Sequence, residues 1–186
     1  MQSVIRETMV TALIEVSSLT GRYAQSDARY VEEVSRWLAS TETSLGKLRH
    51  PAAGFVAARR GLLEATTDGH RPEGVEGSQS RKIRRAAAAV TVAEVEGRLG
   101  EEVTRLDELL AEWHERMSQL VAVAAQHTDF PAPRQPREAW LMEVWRTLDV
   151  GNGAQGMFEY LSARLGRTDR LFVLDQIMAN VLDAAA

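Results

Sequence analysis

The feature that most constrains this chain is the long segment 80–126, whose apolar residues recur at intervals of three or four. Positions at that spacing lie on one side of an α-helix, so the segment predicts a single amphipathic helix with one apolar seam. At about 1.5 Å per residue this helix is roughly 70 Å long, longer than a compact domain of this size is wide. Other helices must therefore pack along the seam. Its residues are Ala88, Val92, Val95, Leu99, Val103, Leu106, Leu110, Trp113, Met117, Leu120 and Ala124.

The other side of this helix is predicted to carry ion pairs. Three of its arginines, at positions 98, 105 and 116, each follow a glutamate by four residues, a spacing that supports a helix by a few tenths of a kcal/mol per pair. Gly97 and Gly100 lie inside the segment, and each costs about 1 kcal/mol relative to alanine. The seam keeps its register across both glycines, which favours one continuous helix. Two small residues here would also let another helix approach closely.

Helical spacing extends over the remaining chain. It predicts a first helix over 3–23, a second capped by Ser26 and Asp27 that ends near Pro51, and a third over 52–66. The segment 68–80 holds three glycines and a proline and is predicted to be a loop. Three prolines within 130–136 end the long helix, and three short helices follow over 137–148, 154–165 and 168–182. No segment shows the alternation of a β-strand.

These patterns predict an all-α fold, an elongated helical bundle built on one long central helix at about 80–126. The predicted domains are a bundle over residues 1–128 and a small C-terminal three-helix subdomain over 129–186. The first three helices would pack along the seam, as helices do in bundles. Because they are too short to cover all of it, part of the seam is expected to stay exposed and to require a partner.

Composition narrows the classes of protein to consider. The chain is 45% hydrophobic and 26% charged, which is typical of a folded globular protein. Charges interrupt every apolar run and the first residues lack a secretory pattern, so we expect a cytoplasmic protein with no membrane span. The absence of cysteine excludes disulfides and thiolate chemistry. A formal net charge of −4 argues against a protein that coats nucleic acid with its whole surface.

A basic cluster of Arg81, Lys82, Arg84 and Arg85 opens the long helix. Cations at a helix N-terminus oppose the macrodipole, which invites an anionic partner such as the phosphates of nucleic acid. Clusters of this kind also pair with a protein's own carboxylates or stay solvated. The sequence leaves both interpretations open.

Three tryptophans, Trp113, Trp140 and Trp145, are candidates for a partner interface. Large aromatic side chains dominate both protein cores and protein interfaces, and sequence does not separate the two. Trp113 lies on the apolar seam, so a core position is the default for it. Trp140 and Trp145 follow the proline-rich segment, and for them core and interface are equally consistent with the pattern.

Motifs for catalysis, metal binding or cofactor binding are not evident. No histidine recurs three or four residues after another, the spacing that would place two metal ligands on one helical face. Gly151-x-Gly153-x-x-Gly156 has the spelling of a dinucleotide loop, but it follows a helical segment rather than a strand and so predicts a helix–helix turn. We therefore predict no enzyme activity, no metal and no cofactor.

The leading hypothesis is a non-enzymatic interaction protein, an adaptor or small subunit of a larger assembly. It would use the long helix and the aromatic C-terminal region as contact surfaces, and its partner would be another protein or a second copy of the chain. The alternative is an accessory nucleic-acid-binding subunit that contacts phosphates through residues 81–85. A third hypothesis, an enzyme or metal carrier built from scattered His and Glu residues, has no motif in its favour.

Overall fold

The computed structural model describes residues 1–66, 80–149 and 154–185. These residues form seven α-helices and no β-strand, which confirms the predicted all-α bundle built on one long helix. Most of the predicted loop over 68–80 and the predicted turn over 151–153 lie outside the described residues. The helices are α1 (Gln2–Ala24), α2 (Tyr30–Lys47), α3 (Ala52–Ala65), α4 (Ser80–Ala124), α5 (Arg137–Thr147), α6 (Gln155–Arg164) and α7 (Arg167–Ala185).

The chain divides into two compact units. The N-terminal unit comprises Val4–Arg105, and the C-terminal unit comprises Met1–Ser3 together with Leu106–Ala186. The division falls within α4, so this helix contributes residues to both units. The predicted domain boundary between residues 128 and 129 stays a prediction.

In the N-terminal unit, α1, α2, α3 and the first part of α4 enclose an apolar core. α2 and α3 pack on each other. The indole N–H of Trp37 on α2 donates to the carbonyl of Ala12 on α1 over 3.0 Å, which satisfies the polar atom of a buried ring. The core residues with no exposed surface are Met9, Val34, Leu38, Leu45, Val56, Ala88, Val95 and Leu99.

α1 and α2 end in the same local structure. At the end of α1, the N–H of Asp27 donates to the carbonyl of Arg22 over 3.0 Å, and the N–H of Ser26 donates to that of Tyr23 over 3.1 Å. This is the Schellman motif, whose first residue after the cap adopts a positive φ. That residue is Ser26 (φ 59°) in α1 and Arg49 (φ 53°) in α2.

The predicted cap of α2 by Ser26 and Asp27 is therefore wrong. α2 begins only at Tyr30, and no side chain caps it. The Asp27 carboxylate instead accepts the backbone N–H of Arg29 over 2.9 Å and the guanidinium of Arg22 over 2.7 Å. These bonds, that of the Arg29 N–H above all, hold the pKa of Asp27 below its usual range.

The apolar seam of α4 is covered by the chain itself. Nine of its eleven predicted residues are buried, and the other two, Val103 and Leu110, are half-buried. The expectation of an uncovered stripe is wrong, because each unit buries the part of the seam that it contains. A partner is not needed to cover this face.

The ion pairs on α4 differ from the predicted set. Arg98 and Arg105 both bind Glu102, over 2.8 and 3.0 Å, rather than the glutamates four residues before them. Glu94 instead reaches Arg59 on α3 over 3.2 Å. Of the predicted pairs, the most C-terminal one forms, with 3.0 Å between nitrogen and oxygen. Helical spacing allows several partners, and tertiary neighbours select among them.

Replacing both Gly97 and Gly100 by alanine is expected to raise the free energy of unfolding by about 1–2 kcal/mol. α4 runs unbroken through both glycines, and a Cβ at either would meet no described atom within 4 Å outside its own stretch of helix. The close approach that these two small residues would allow is not made by any described helix. Alanine lowers the entropy of the unfolded chain without a clash. Urea unfolding measures the change: each single variant should give about half of it, and a loss of stability would contradict the expectation.

The core of the C-terminal unit is formed by the last turns of α4 together with α5, α6 and α7, and α5 packs on α7. The largest side chains with almost no exposed surface here are Leu106, Met117, Leu120, Trp140, Leu148, Leu161, Leu174 and Met178. None of the described helices combines the length and the apolar character needed to cross a membrane.

A buried carboxylate, Asp169 on α7, caps the start of α1. It accepts the backbone N–H of Gln2 over 3.0 Å and both the N–H and the hydroxyl of Ser3 over 2.9 and 2.8 Å. It also pairs with the amino group of Met1. The first turn of a helix has no internal partners for its N–H groups, so a carboxylate placed there satisfies them and complements the helix dipole.

Candidate interaction surfaces

The three tryptophans of the predicted interface lie in the core of the C-terminal unit. Trp140 has no exposed surface, and Trp113 and Trp145 are 5% and 4% exposed. The Trp140 indole N–H donates to the carbonyl of Pro131 over 2.7 Å, and the Trp145 ring stacks on Phe158 with centroids 4.9 Å apart. In the folded chain these three side chains fill the core, so almost none of their surface is accessible to a partner.

Arg170 lies against the same core. Its guanidinium is 4.3 Å from the centroid of the Trp145 ring and donates to the carbonyls of Ser162 and Leu165 over 3.3 and 3.2 Å. Burial lowers its pKa, and its Nε is buried with no hydrogen-bond partner among the described residues. Because a cation is favourable at the C-terminal end of a helix, Arg170 stabilises the end of α6.

Residues of α4 and α7 border an open apolar groove in the C-terminal unit, with a volume of about 350 Å³. Among the described residues that line it, His114, Ser118 and Asn180 contribute polar atoms, and none is Asp, Glu, Lys or Arg. Much of this lining is accessible, since Ala122 and Ala125 are exposed and Val181 is 38% exposed. The apolar lining residues are Val121, Ala122, Ala125, Phe130, Ile177 and Val181.

The basic cluster opens α4 in the N-terminal unit, and Arg85 anchors it there. The Arg85 guanidinium lies 4.7 Å from the centroid of the Tyr23 ring and 5.8 Å from that of Tyr30, and it donates to the carbonyl of Tyr23. Burial raises the pKa of Tyr30 to about 12. These contacts place the first turns of α4 against the connection between α1 and α2.

Among the described residues, the structure gives no comparable aromatic contact or hydrogen bond for the other three cations of the cluster. Arg81 and Lys82 are exposed and Arg84 is half-buried. Within the described part of the chain, none of the three forms an ion pair or a hydrogen bond. By contrast, more than half of the described arginines have a carboxylate oxygen within 4.0 Å.

The tertiary structure adds a cation that the sequence pattern did not indicate. Arg29 is exposed and immediately precedes Tyr30, one of the two rings that Arg85 contacts. We call the set of Arg29, Arg81, Lys82, Arg84 and Arg85 the basic corner. The nearby carboxylate of residue 27 is already paired with the guanidinium of residue 22. The sequence did not indicate Arg29 as a member of this set, because it is distant in the chain from α4 and no local pattern links the two.

The described residues contain no group of three or more His, Asp or Glu side chains placed to hold a metal ion. His50 takes a structural position: its Nδ1 accepts the backbone N–H of Ala52 over 3.2 Å at the start of α3. Burial lowers the pKa of His50, which favours the neutral imidazole that this bond requires.

Comparison with known proteins finds no matching family model, no similar curated protein and no similar solved structure. The function of this chain is therefore inferred from its own residues.

Proposed function

We propose that this chain is a non-enzymatic interaction protein, an adaptor or small subunit of a larger assembly, that binds an amphipathic helix of a protein partner in its apolar groove. The observation that carries the proposal is the open apolar lining of that groove. The apolar seam and the tryptophans are buried within the chain, so they do not provide this surface.

The shape of the groove favours a helical occupant. One wall runs from His114 on α4 to Ala125, the residue after that helix, over about three helical turns or roughly 17 Å. Small side chains at Ser118, Ala122 and Ala125 allow the backbone of a second helix to come close. A helix of three or four turns would present apolar side chains at positions i, i+3 or i+4, and i+7 along this wall.

The chemistry of the lining restricts the partner further. Because none of the described residues that line the groove is Asp, Glu, Lys or Arg, a charged group inserted there would lose its water without gaining a counter-charge from them. The inserted face of the partner helix is therefore uncharged and apolar, with its charges at the rim. The small size of the groove is typical of a transient contact rather than an obligate one.

Replacing Val181 by glutamate is expected to weaken partner binding at least about tenfold, because a carboxylate would then lie in the apolar contact. Val181 is already 38% exposed, so the variant should fold. Val90→Glu is a matched control, since Val90 is 48% exposed on the N-terminal part of α4. Proteins retained from the native source by the parent chain and by Val90→Glu, but lost by Val181→Glu, are the candidates. The affinity of each variant for a synthetic peptide that contains an amphipathic helix of such a candidate is then measured by fluorescence anisotropy.

Two results would contradict the proposal. If Val90→Glu and Val181→Glu change retention and peptide affinity equally, the groove is not the binding surface. If light scattering shows a dimer that Val181→Glu dissociates, the occupant is a second copy of the chain and the proposed partner class is wrong.

A further inference from the structure

The basic corner is a concentration of positive charge without matching acid among the described residues. Arg81, Lys82 and Arg84 have no carboxylate partner there, and Asp27, which precedes Arg29 by two residues, is paired with Arg22. Cations in the first turn of α4 are also unfavourable with respect to its dipole. A bound anion would neutralise this positive charge and would offset its unfavourable interaction with the helix dipole.

The fold anchors one of these cations, Arg85, and so places the turn of α4 that carries the others. Arg85 is held by the rings of Tyr23 and Tyr30 and by a backbone carbonyl. Arg81 precedes Arg85 by one helical turn and so lies on the same face of α4. Arg29 is joined through the backbone to one of the two rings. Charges from two distant parts of the chain are thereby presented together.

An exposed aromatic ring, that of Tyr23, lies beside Arg85 in the basic corner. Tyr23 is 41% exposed, although its ring touches both the Arg85 guanidinium and Tyr30, the latter with centroids 5.3 Å apart. Exposed aromatic rings beside cations are the combination with which proteins bind single strands, because an unpaired base stacks on the ring while the cations follow the phosphates.

We propose that the basic corner binds single-stranded nucleic acid. Arg29, Arg81, Lys82 and Arg84 contact successive phosphates, Tyr23 stacks on one base, and Arg85 is a positioning residue that holds Tyr23 and the start of α4 together. A site of this size covers about four nucleotides and reads no particular sequence. It lies in the N-terminal unit and is independent of the apolar groove.

The test is fluorescence anisotropy of the full chain with a labelled single strand of about 12 nucleotides and the matching duplex, at salt between about 50 and 200 mM. Arg81→Glu/Lys82→Glu is expected to weaken single-strand binding at least about tenfold and to reduce the salt slope by about 1.4, since each lost phosphate contact removes about 0.7. Glutamate in the first helical turn complements the dipole, so this variant keeps its helix.

The matched control is Lys47→Glu/Arg146→Glu. Both residues are exposed on helices and have no ion pair with a described residue, and the double reversal changes the net charge by the same amount. Binding by the control within about twofold of the parent chain is the expected result. An equal loss in both variants, or no binding by the parent chain at low salt, would overturn the proposal.

The aromatic contribution is tested separately. Tyr23→Phe keeps the ring and is expected to bind like the parent chain, whereas Tyr23→Leu should bind about fivefold more weakly with the same salt slope, because stacking does not release ions. Equal affinity of the Phe and Leu variants would overturn the stacking role. Tighter binding of the duplex than of the single strand would overturn the single-strand assignment.

Discussion

Trp140→Ala is expected to lower the free energy of unfolding of the C-terminal unit by about 3–5 kcal/mol, the usual cost of truncating a fully buried tryptophan. The ring has no exposed surface, and its indole N–H donates to Pro131 over 2.7 Å. The Arg137 guanidinium also lies 5.3 Å from the ring centroid. The substitution therefore removes core volume, a buried hydrogen bond and a cation–π contact together.

Urea unfolding followed by circular dichroism measures this loss, and Trp140→Phe is the control. Phenylalanine keeps most of the apolar volume but leaves the Pro131 carbonyl without its donor, so we expect a smaller loss of about 1–3 kcal/mol. A change below about 1 kcal/mol for the alanine variant would contradict a core position. Loss of partner binding in a Trp140 variant would report unfolding rather than a missing contact.

Asp169→Ala is expected to lower the free energy of unfolding at neutral pH by about 2–3 kcal/mol, the range for hydrogen bonds to a buried charge. The carboxylate is 3% exposed, and three donors from Gln2 and Ser3 as well as the Met1 amino group depend on it. Without it, the first turn of α1 loses its cap.

This contribution has a defined dependence on pH. Burial alone would raise the pKa of Asp169, but the bonds from the Met1 amino group, Ser3 and Gln2 outweigh it and hold the pKa below the ordinary 3.8. A carboxyl whose pKa is lowered by folding stabilises the folded state above its unfolded pKa and loses that effect as pH falls through the folded pKa. The difference between the parent chain and the variant should therefore be full near neutral pH and shrink below about pH 4.

Asp175→Asn provides the comparison on the same helix. Asp175 is 45% exposed and pairs with Arg137 at the surface, so its loss should cost less than about 1 kcal/mol. Asp169→Asn should cost clearly more at neutral pH and converge with the parent chain in acid. Equal effects of the two substitutions, or an Asp169 effect that grows in acid, would contradict the assigned role.

The two proposed surfaces are separable by experiment because each lies within one unit. Val181→Glu should leave nucleic-acid binding intact, and Arg81→Glu/Lys82→Glu should leave helix binding intact. Loss of both activities in either variant would indicate general unfolding, which circular dichroism detects. The two proposals can therefore fail independently.

Local patterns in the chain were enough to predict most of the helices and the buried face of the longest one. α4 was predicted over 80–126 and runs over Ser80–Ala124, and most of its seam is buried as predicted. The reason is that apolar periodicity and proline breaks are local properties, readable wherever a helix has one face turned inward. The cations that open α4 were visible for the same reason.

Features that depend on neighbours distant in the chain became visible once the helices were packed together. The sequence was equally consistent with a core and an interface position for Trp140 and Trp145, and in the structure both belong to the core that α6 and α7 help to form. Glu94 pairs with an arginine on α3 rather than with one on its own helix. The cap of α1 by Asp169 and the contact of Arg85 on α4 with the Tyr30 ring join residues that no local spacing links. Hydrogen bonds and ion pairs select among partners by geometry at a few ångströms, and that geometry exists only once the helices have packed.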